Sequence, residues 1–178
     1  MAQIIFLHGA SSSGKTTLAK ALQQRADFPF WHVSIDNLRD SGVLPMERFR
    51  VGEFDWVASR DEIFDGFHQS IKAYADAGNN LILEHILDTN GWLETLRNLL
   101  SDHDVLFVGL YCQIPELNNR EFRRGDRRFG SAEQDQLQIH DGLIYDLEIQ
   151  SEDGVDANVA AILEAFRNRR RVSDFQKA

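Results

Sequence analysis

The octapeptide Gly9-Ala10-Ser11-Ser12-Ser13-Gly14-Lys15-Thr16 constrains this chain more than any other stretch. It satisfies the pattern G-x-x-x-x-G-K-S/T in full, follows directly on the apolar run Ile4-Ile5-Phe6-Leu7, and opens a helix-like segment near Thr16. Strand, loop and helix in that order form a phosphate cradle. Gly9 and Gly14 permit backbone angles that turn successive N–H groups toward phosphate oxygens, and the helix N-terminus adds positive potential. The loop from Gly9 to Thr16, with Thr17 behind it, is therefore read as a nucleoside triphosphate site. Lys15 is expected to reach the β- and γ-phosphates, and the Thr16 hydroxyl to bind Mg²⁺.

The rest of the chain alternates short apolar runs with longer amphipathic ones, the pattern of an α/β protein with a parallel sheet. Leu81-Ile82-Leu83 and Val105-Leu106-Phe107-Val108-Gly109-Leu110 join Ile4–Leu7 as continuous runs suited to strands buried on both faces, and residues 31–35 and 144–149 are weaker candidates. Helix-like stretches fall at 16–25, 59–77, 92–100, 115–124 and 155–170, with Ile63, Phe67, Ile71 and Tyr74 at helical spacing. The expected fold is the P-loop NTPase type: a five-stranded parallel sheet flanked by helices, in a single domain over residues 1–178. Residues 40–58 fit neither period and are expected to be an acceptor-side loop carrying Phe49, Phe54 and Trp56. Residues 172–178 are expected to fray.

Composition narrows the function classes. With 178 residues the chain can bury roughly two thirds of its unfolded surface, and its one cysteine, Cys112, cannot form an internal bridge. Those facts favour a cytoplasmic protein, and no apolar run approaches membrane-spanning length. The 28 acidic against 19 basic side chains, a net charge of -9, argue against duplex nucleic acid as partner.

Small P-loop proteins divide mainly into kinases and switch GTPases, and no N-K-x-D or D-x-x-G pattern occurs here. A kinase needs a carboxylate near the acceptor hydroxyl, and Asp36 stands at the end of the second expected strand; the same residue could cap a helix starting at Asn37. Glu84, after the third strand, is placed to reach Mg²⁺, with His85 and Asp88 directed to the same region. Arg120, Arg123, Arg124, Arg127 and Arg128 crowd a nine-residue stretch of an otherwise acidic chain. Positions 120, 124 and 127 share a helical face and can converge on a triphosphate. Gly125 and Gly130 suit the hinges of a lid spanning about 118–135. Arg167, Arg169, Arg170 and Arg171 end the last helix and read as solvated cations.

Taken together, the phosphate loop, Ile35-Asp36, Arg124-Gly125-Asp126-Arg127 and His140-Asp141-Gly142 leading to Tyr145-Asp146-Leu147-Glu148 resemble the chloramphenicol phosphotransferase family of P-loop kinases. That resemblance implies ATP-dependent phosphorylation of a small-molecule hydroxyl, an antibiotic such as chloramphenicol among the possible acceptors. It implies Asp36 as base and an arginine-rich lid with Arg124 and Arg127 as its phosphate contacts. A monomer or homodimer is expected. Two departures bear on the acceptor: Glu84-His85 stands where the family often has paired aspartates, and Gln150-Ser151 replaces an aspartate-threonine pair. His140 reads as a structural, hydrogen-bonded histidine, while Tyr145, Asp146 and Glu148 read as one face of a strand. Two other readings remain at this stage: a nucleotide-binding switch, and a kinase acting on a nucleotide or polynucleotide end through Arg48 and Arg50.

Overall fold

The computed structural model describes residues 1–124, the last of them by its backbone alone, and 130–176. Five strands, β1 (Gln3–Gly9), β2 (Trp31–Ser34), β3 (Leu81–His85), β4 (Asp104–Tyr111) and β5 (Leu147–Gln150), pair in parallel in the order β2-β3-β1-β4-β5. The three continuous apolar runs are the three inner strands, because a strand covered by helices on both sides has no polar face to keep. The edge strands β2 and β5 have four residues each. Residues 144–146 do not extend β5 as expected. Tyr145 instead lies buried across Gly109, and the Asp146 carboxylate accepts from the Phe107, Val172 and Ser173 N–H groups.

Helices α1 (Lys15–Arg25), α2 (Ile35–Asp40), α3 (Met46–Arg50), α4 (Trp56–Asp76), α5 (Trp92–Leu99), α6 (Ile114–Arg124), α7 (Ser131–Gln138) and α8 (Val155–Asn168) complete the described elements, with single 3₁₀ turns at Ser151–Asp153 and Asp174–Gln176. On one face of the sheet Leu18 and Leu22 of α1 and Ile162 and Phe166 of α8 cover Ile5, Leu7 and Val108. On the other, Phe67 and Ile71 of α4 and Leu96 of α5 cover Phe6, Leu83 and Phe107. A third, small core joins Ala10 of the phosphate loop to Cys112, Leu117 of α6, Ala132 of α7 and Ile139.

Three expectations are corrected. Residues 40–58 are not irregular throughout: α3 forms within them, and α4 begins at Trp56 because the Asp55 side chain caps it, accepting from the Val57 and Ala58 N–H groups at 2.9 and 3.2 Å. Phe49 packs edge-on against Phe54 and Trp56, so these aromatics serve one another. The C-terminal segment does not fray over residues 173–175, where Ser173, Asp174 and Phe175 are buried and the Phe175 ring meets Phe6 and Phe107 at 5.5 and 5.0 Å. Arg171 is not a solvated cation either. Its buried guanidinium pairs with Asp104 at 2.9 Å, tying this segment to the start of β4.

Candidate active site

All five strands run parallel, so their C-terminal ends lie along one edge, where ligands of open α/β sheets bind. The loop after β1 occupies the middle of that edge. Gly9 has no alternative: a Cβ there would stand 2.5 Å from the Leu110 carbonyl oxygen. Gly14 caps α1 with φ 103°, and Ser12 also has a positive φ of 62°. This alternation of backbone hand is what turns N–H groups inward to form an anion nest. The Ser12 and Ser13 hydroxyls are buried without a hydrogen-bond partner among the described residues, so the loop holds polar atoms that a phosphate would satisfy. Lys15 is buried, and its Nζ donates to the Gly9 and Ala10 carbonyls at 2.8 and 2.7 Å.

Thr16 and Glu84 meet: the threonine hydroxyl donates to Glu84 Oε1 at 2.7 Å. Glu84 is itself buried, and its Oε2 accepts from His32 Nε2 at 3.0 Å. Asn37 Nδ2 approaches the other ring nitrogen of His32 at 3.4 Å. Burial pushes the Glu84 pKa up. The His32 hydrogen bond, the Lys15 charge and the Thr16 hydroxyl outweigh it and hold the carboxylate below its ordinary value. Beneath the loop, burial drives the pKa of His8 far down, with His140, Lys15 and His85 adding to the shift. The ring is therefore neutral beside the lysine.

One cleft of about 740 Å³ runs from this loop to α2, lined by Lys15, Thr16 and Thr17 at one end and by Asp36, Arg39, Phe64, Asp88 and Trp92 at the other. Asp36 is not the cap of α2. The helix starts at Ile35, two residues before the expected Asn37, and the Ser34 hydroxyl takes the cap role by accepting from the Asp36 N–H at 3.2 Å. The Asp36 carboxylate, 38% exposed, is thus directed to the cleft and pairs with Arg39 at 2.9 Å. Beside it, Phe64 stacks on Trp92 at 4.4 Å, Trp92 stacks on His85 at 5.1 Å, and the Arg60 guanidinium lies over Phe64 and Trp92 while pairing with Asp88 at 3.0 Å. His85 faces His68 with their Nε2 atoms 3.0 Å apart, one donating and the other accepting. Burial depresses both rings, His68 to about 4 and His85 well below its ordinary value.

From the other side α6 brings Arg120 over the loop, where Nη1 donates to the Ser13 carbonyl at 3.1 Å and to Ser151 Oγ at 2.9 Å. Arg123 also lines the cleft. The side chain of Arg124 and all of Arg127, together with Gly125, Asp126 and Arg128, lie outside the described residues. His140 has the structural role expected of it: its Nδ1 is 2.7 Å from the Tyr145 hydroxyl, which also meets His8 Nδ1 at 2.9 Å. Cys112 is no nucleophile, because burial and the Glu152 carboxylate push its thiol up to about 11. Sequence reasoning missed His32, Arg39, Arg60, Phe64 and Trp92. None belongs to a motif, and only the positions of Trp92 at a helix start and Arg39 one turn beyond Asp36 could have pointed to them.

Residues 2–167 match the family described as chloramphenicol phosphotransferase-like protein. The chain belongs to this family. It is a P-loop phosphotransferase of the kinase type, in keeping with the family and with its relatives. A protein of Mycobacterium tuberculosis strain H37Rv named "Putative O-phosphotransferase" is 27% identical over 168 residues, covering 84% of this chain and 75% of its own. Among solved structures, the Mycobacterium tuberculosis APS kinase in complex with AMPPNP and APS shares the fold at a TM-score of 0.69 and 16% identity, covering 93% of this chain and 98% of that one. Shikimate kinase from Aquifex aeolicus does so at 0.60 and 16%, over 93% and 96%. Among the described residues no helix is long and apolar enough to cross a membrane.

Proposed function

We propose that the chain transfers the γ-phosphoryl group of ATP to a hydroxyl of a small molecule. One observation carries this reading: a single cleft of about 740 Å³ has the phosphate loop at one end and the Asp36 carboxylate at the other, so donor and acceptor share one space. A nucleotide switch has no use for that second end. The charge pairing around α3 speaks against a nucleotide or polynucleotide acceptor, since Arg48 is paired with Glu53 and Arg50 with Glu47.

Each side chain then has a task. Lys15, released from the two loop carbonyls it now holds, neutralises phosphate oxygens, and Arg120 and Arg123 close on the triphosphate from α6. Arg124 and Arg127 join them as the proposed phosphate contacts of the lid. Asp36 accepts a hydrogen bond from the attacking hydroxyl and fixes its angle, taking the proton as the new P–O bond forms and the bond from the γ-phosphorus to the bridging oxygen breaks, releasing ADP. Mg²⁺ suits the hard-oxygen pair of Thr16 and Glu84, which stand within 2.7 Å of each other. Bound there with the triphosphate, the ion supplies charge neutralisation on the transferring group. Among the described residues no cluster of three or more His, Cys, Asp or Glu could hold a metal alone, so the ion is assigned to the nucleotide complex. The acceptor end, with its stacked Phe64 and Trp92 and its carboxylates, suits a partly apolar alcohol; an antibiotic such as chloramphenicol is one such compound.

The test separates transfer from binding. Asp36→Asn is expected to abolish phosphate transfer while ATP affinity, read by calorimetry, stays within about twofold of wild type. Full turnover in that variant removes Asp36 from the reaction.

A further inference from the structure

We infer that Glu121 is a positioning residue for the phosphate loop, acting through Arg120. Glu121 lies near the end of α6 and is only 2% exposed, a rare place for a carboxylate. Its oxygens accept from the Gly130 N–H at 2.6 Å, the Ser131 hydroxyl at 2.6 Å and the Ala132 N–H at 3.0 Å. The carboxylate of one helix thus satisfies the opening turn of the next, where the helix dipole favours negative charge. A second tie, Asn118 Nδ2 to Glu133 Oε2 at 2.9 Å, runs parallel to it.

The hairpin fixed in this way grips the phosphate loop at three points. Arg120, the residue next to Glu121, donates to the Ser13 carbonyl. Asp135 of α7 accepts from the Ser11 N–H at 3.4 Å. Leu117 and Ala132 pack on Ala10 in the small third core. Between these points stands Ser12 with its positive φ, a conformation that costs free energy and persists only where the surroundings enforce it. Glu121 is not among the residues that line the cleft. Its effect is to set the α6–α7 angle, and with it the place of Arg120 over the loop.

This inference rests on the loop being a nucleotide site, and the experiment keeps the two claims apart. ATP affinity in the presence of Mg²⁺ is measured by calorimetry for wild type, E121A, E121Q, R120Q and the double variant E121A/R120Q, with melting curves for each. E121A is expected to weaken ATP roughly tenfold, E121Q about threefold because its amide oxygen still accepts, and E121A in the R120Q background no more than about twofold. Unchanged affinity in E121A, or the full loss repeated in the R120Q background, overturns the inference. If E121A fails to fold, E121Q decides the question: wild-type affinity in that variant also overturns it. Lys15→Ala serves as the control. If that change leaves ATP binding intact, the nucleotide site itself is wrong, whereas its loss beside an unaffected E121A refutes only the role given to Glu121.

Discussion

The Thr16 hydroxyl donates to Glu84 Oε1 at 2.7 Å, joining the first turn of α1 to the end of β3 across 68 positions of sequence. His32 approaches the other carboxylate oxygen from β2, so three elements converge on one buried charge. A carboxylate held this way is oriented as well as ionised. Glu84→Gln keeps an acceptor for Thr16 but removes the charge. The magnesium concentration for half-maximal phosphate transfer should rise about tenfold, with a melting midpoint close to wild type. Titration of Mg²⁺ at fixed ATP checks this; an unchanged midpoint would show that Glu84 is structural alone.

The buried histidines give the protein an acid-sensitive fold. Burial lowers His68 and His140 to about 4, and holds His8 and His85 well below their ordinary value, while the unfolded chain titrates near 6.5. Between those values the unfolded state binds protons that the folded state does not, so stability is full above about pH 6.5 and declines as pH falls toward 4. Glu84, whose pKa is depressed, adds a loss of the same sign below its ordinary value of 4.5. Melting midpoints measured from pH 7.5 to 4.5 should fall throughout the range below 6.5. A flat profile would contradict the neutral, buried state assigned to these rings.

Gly9 is fixed by contact rather than by backbone angle. A methyl group placed 2.5 Å from the Leu110 carbonyl must push the phosphate loop away from β4. Gly9→Ala should cost about 2 kcal/mol of stability and weaken ATP binding as well. Chemical denaturation and calorimetry read the two effects separately.

Phe175 closes the core face formed by Phe6 and Phe107. Phe175→Ala should destabilise the fold by about 3 kcal/mol, comparable to other large-to-small aromatic changes in a core. Denaturant midpoints test this, and a change below about 0.5 kcal/mol would mean that the segment is dispensable.

The phosphate loop and the three inner strands were legible because their causes are local: glycine spacing, a lysine followed by threonine, and unbroken apolar runs. Asp36 and Glu84 could be found because strand ends in a parallel sheet share one edge. What escaped is what needs two distant segments at once. His32 reads as an edge-strand residue until β2 is laid beside β3, and Arg60 and Trp92 become neighbours only when α4 and α5 pack together. Ser34 took the cap that Asp36 was given because a serine two residues earlier lengthens α2 and frees the carboxylate for the cleft. The C-terminal segment was misjudged for the opposite reason: short, polar-flanked and without a period, it gives no sign in sequence that Asp146 will hold its backbone and that Phe175 will find a pocket.

The central claim is that the γ-phosphoryl group goes to an alcohol. The most direct measurement incubates the protein with Mg²⁺ and ATP labelled on the γ-phosphate, together with a panel of hydroxylated metabolites and antibiotics that includes chloramphenicol, and follows the label. The account predicts label on at least one organic hydroxyl in wild type and on none with Asp36→Asn. Label appearing only as inorganic phosphate, with ATP binding intact, would contradict it.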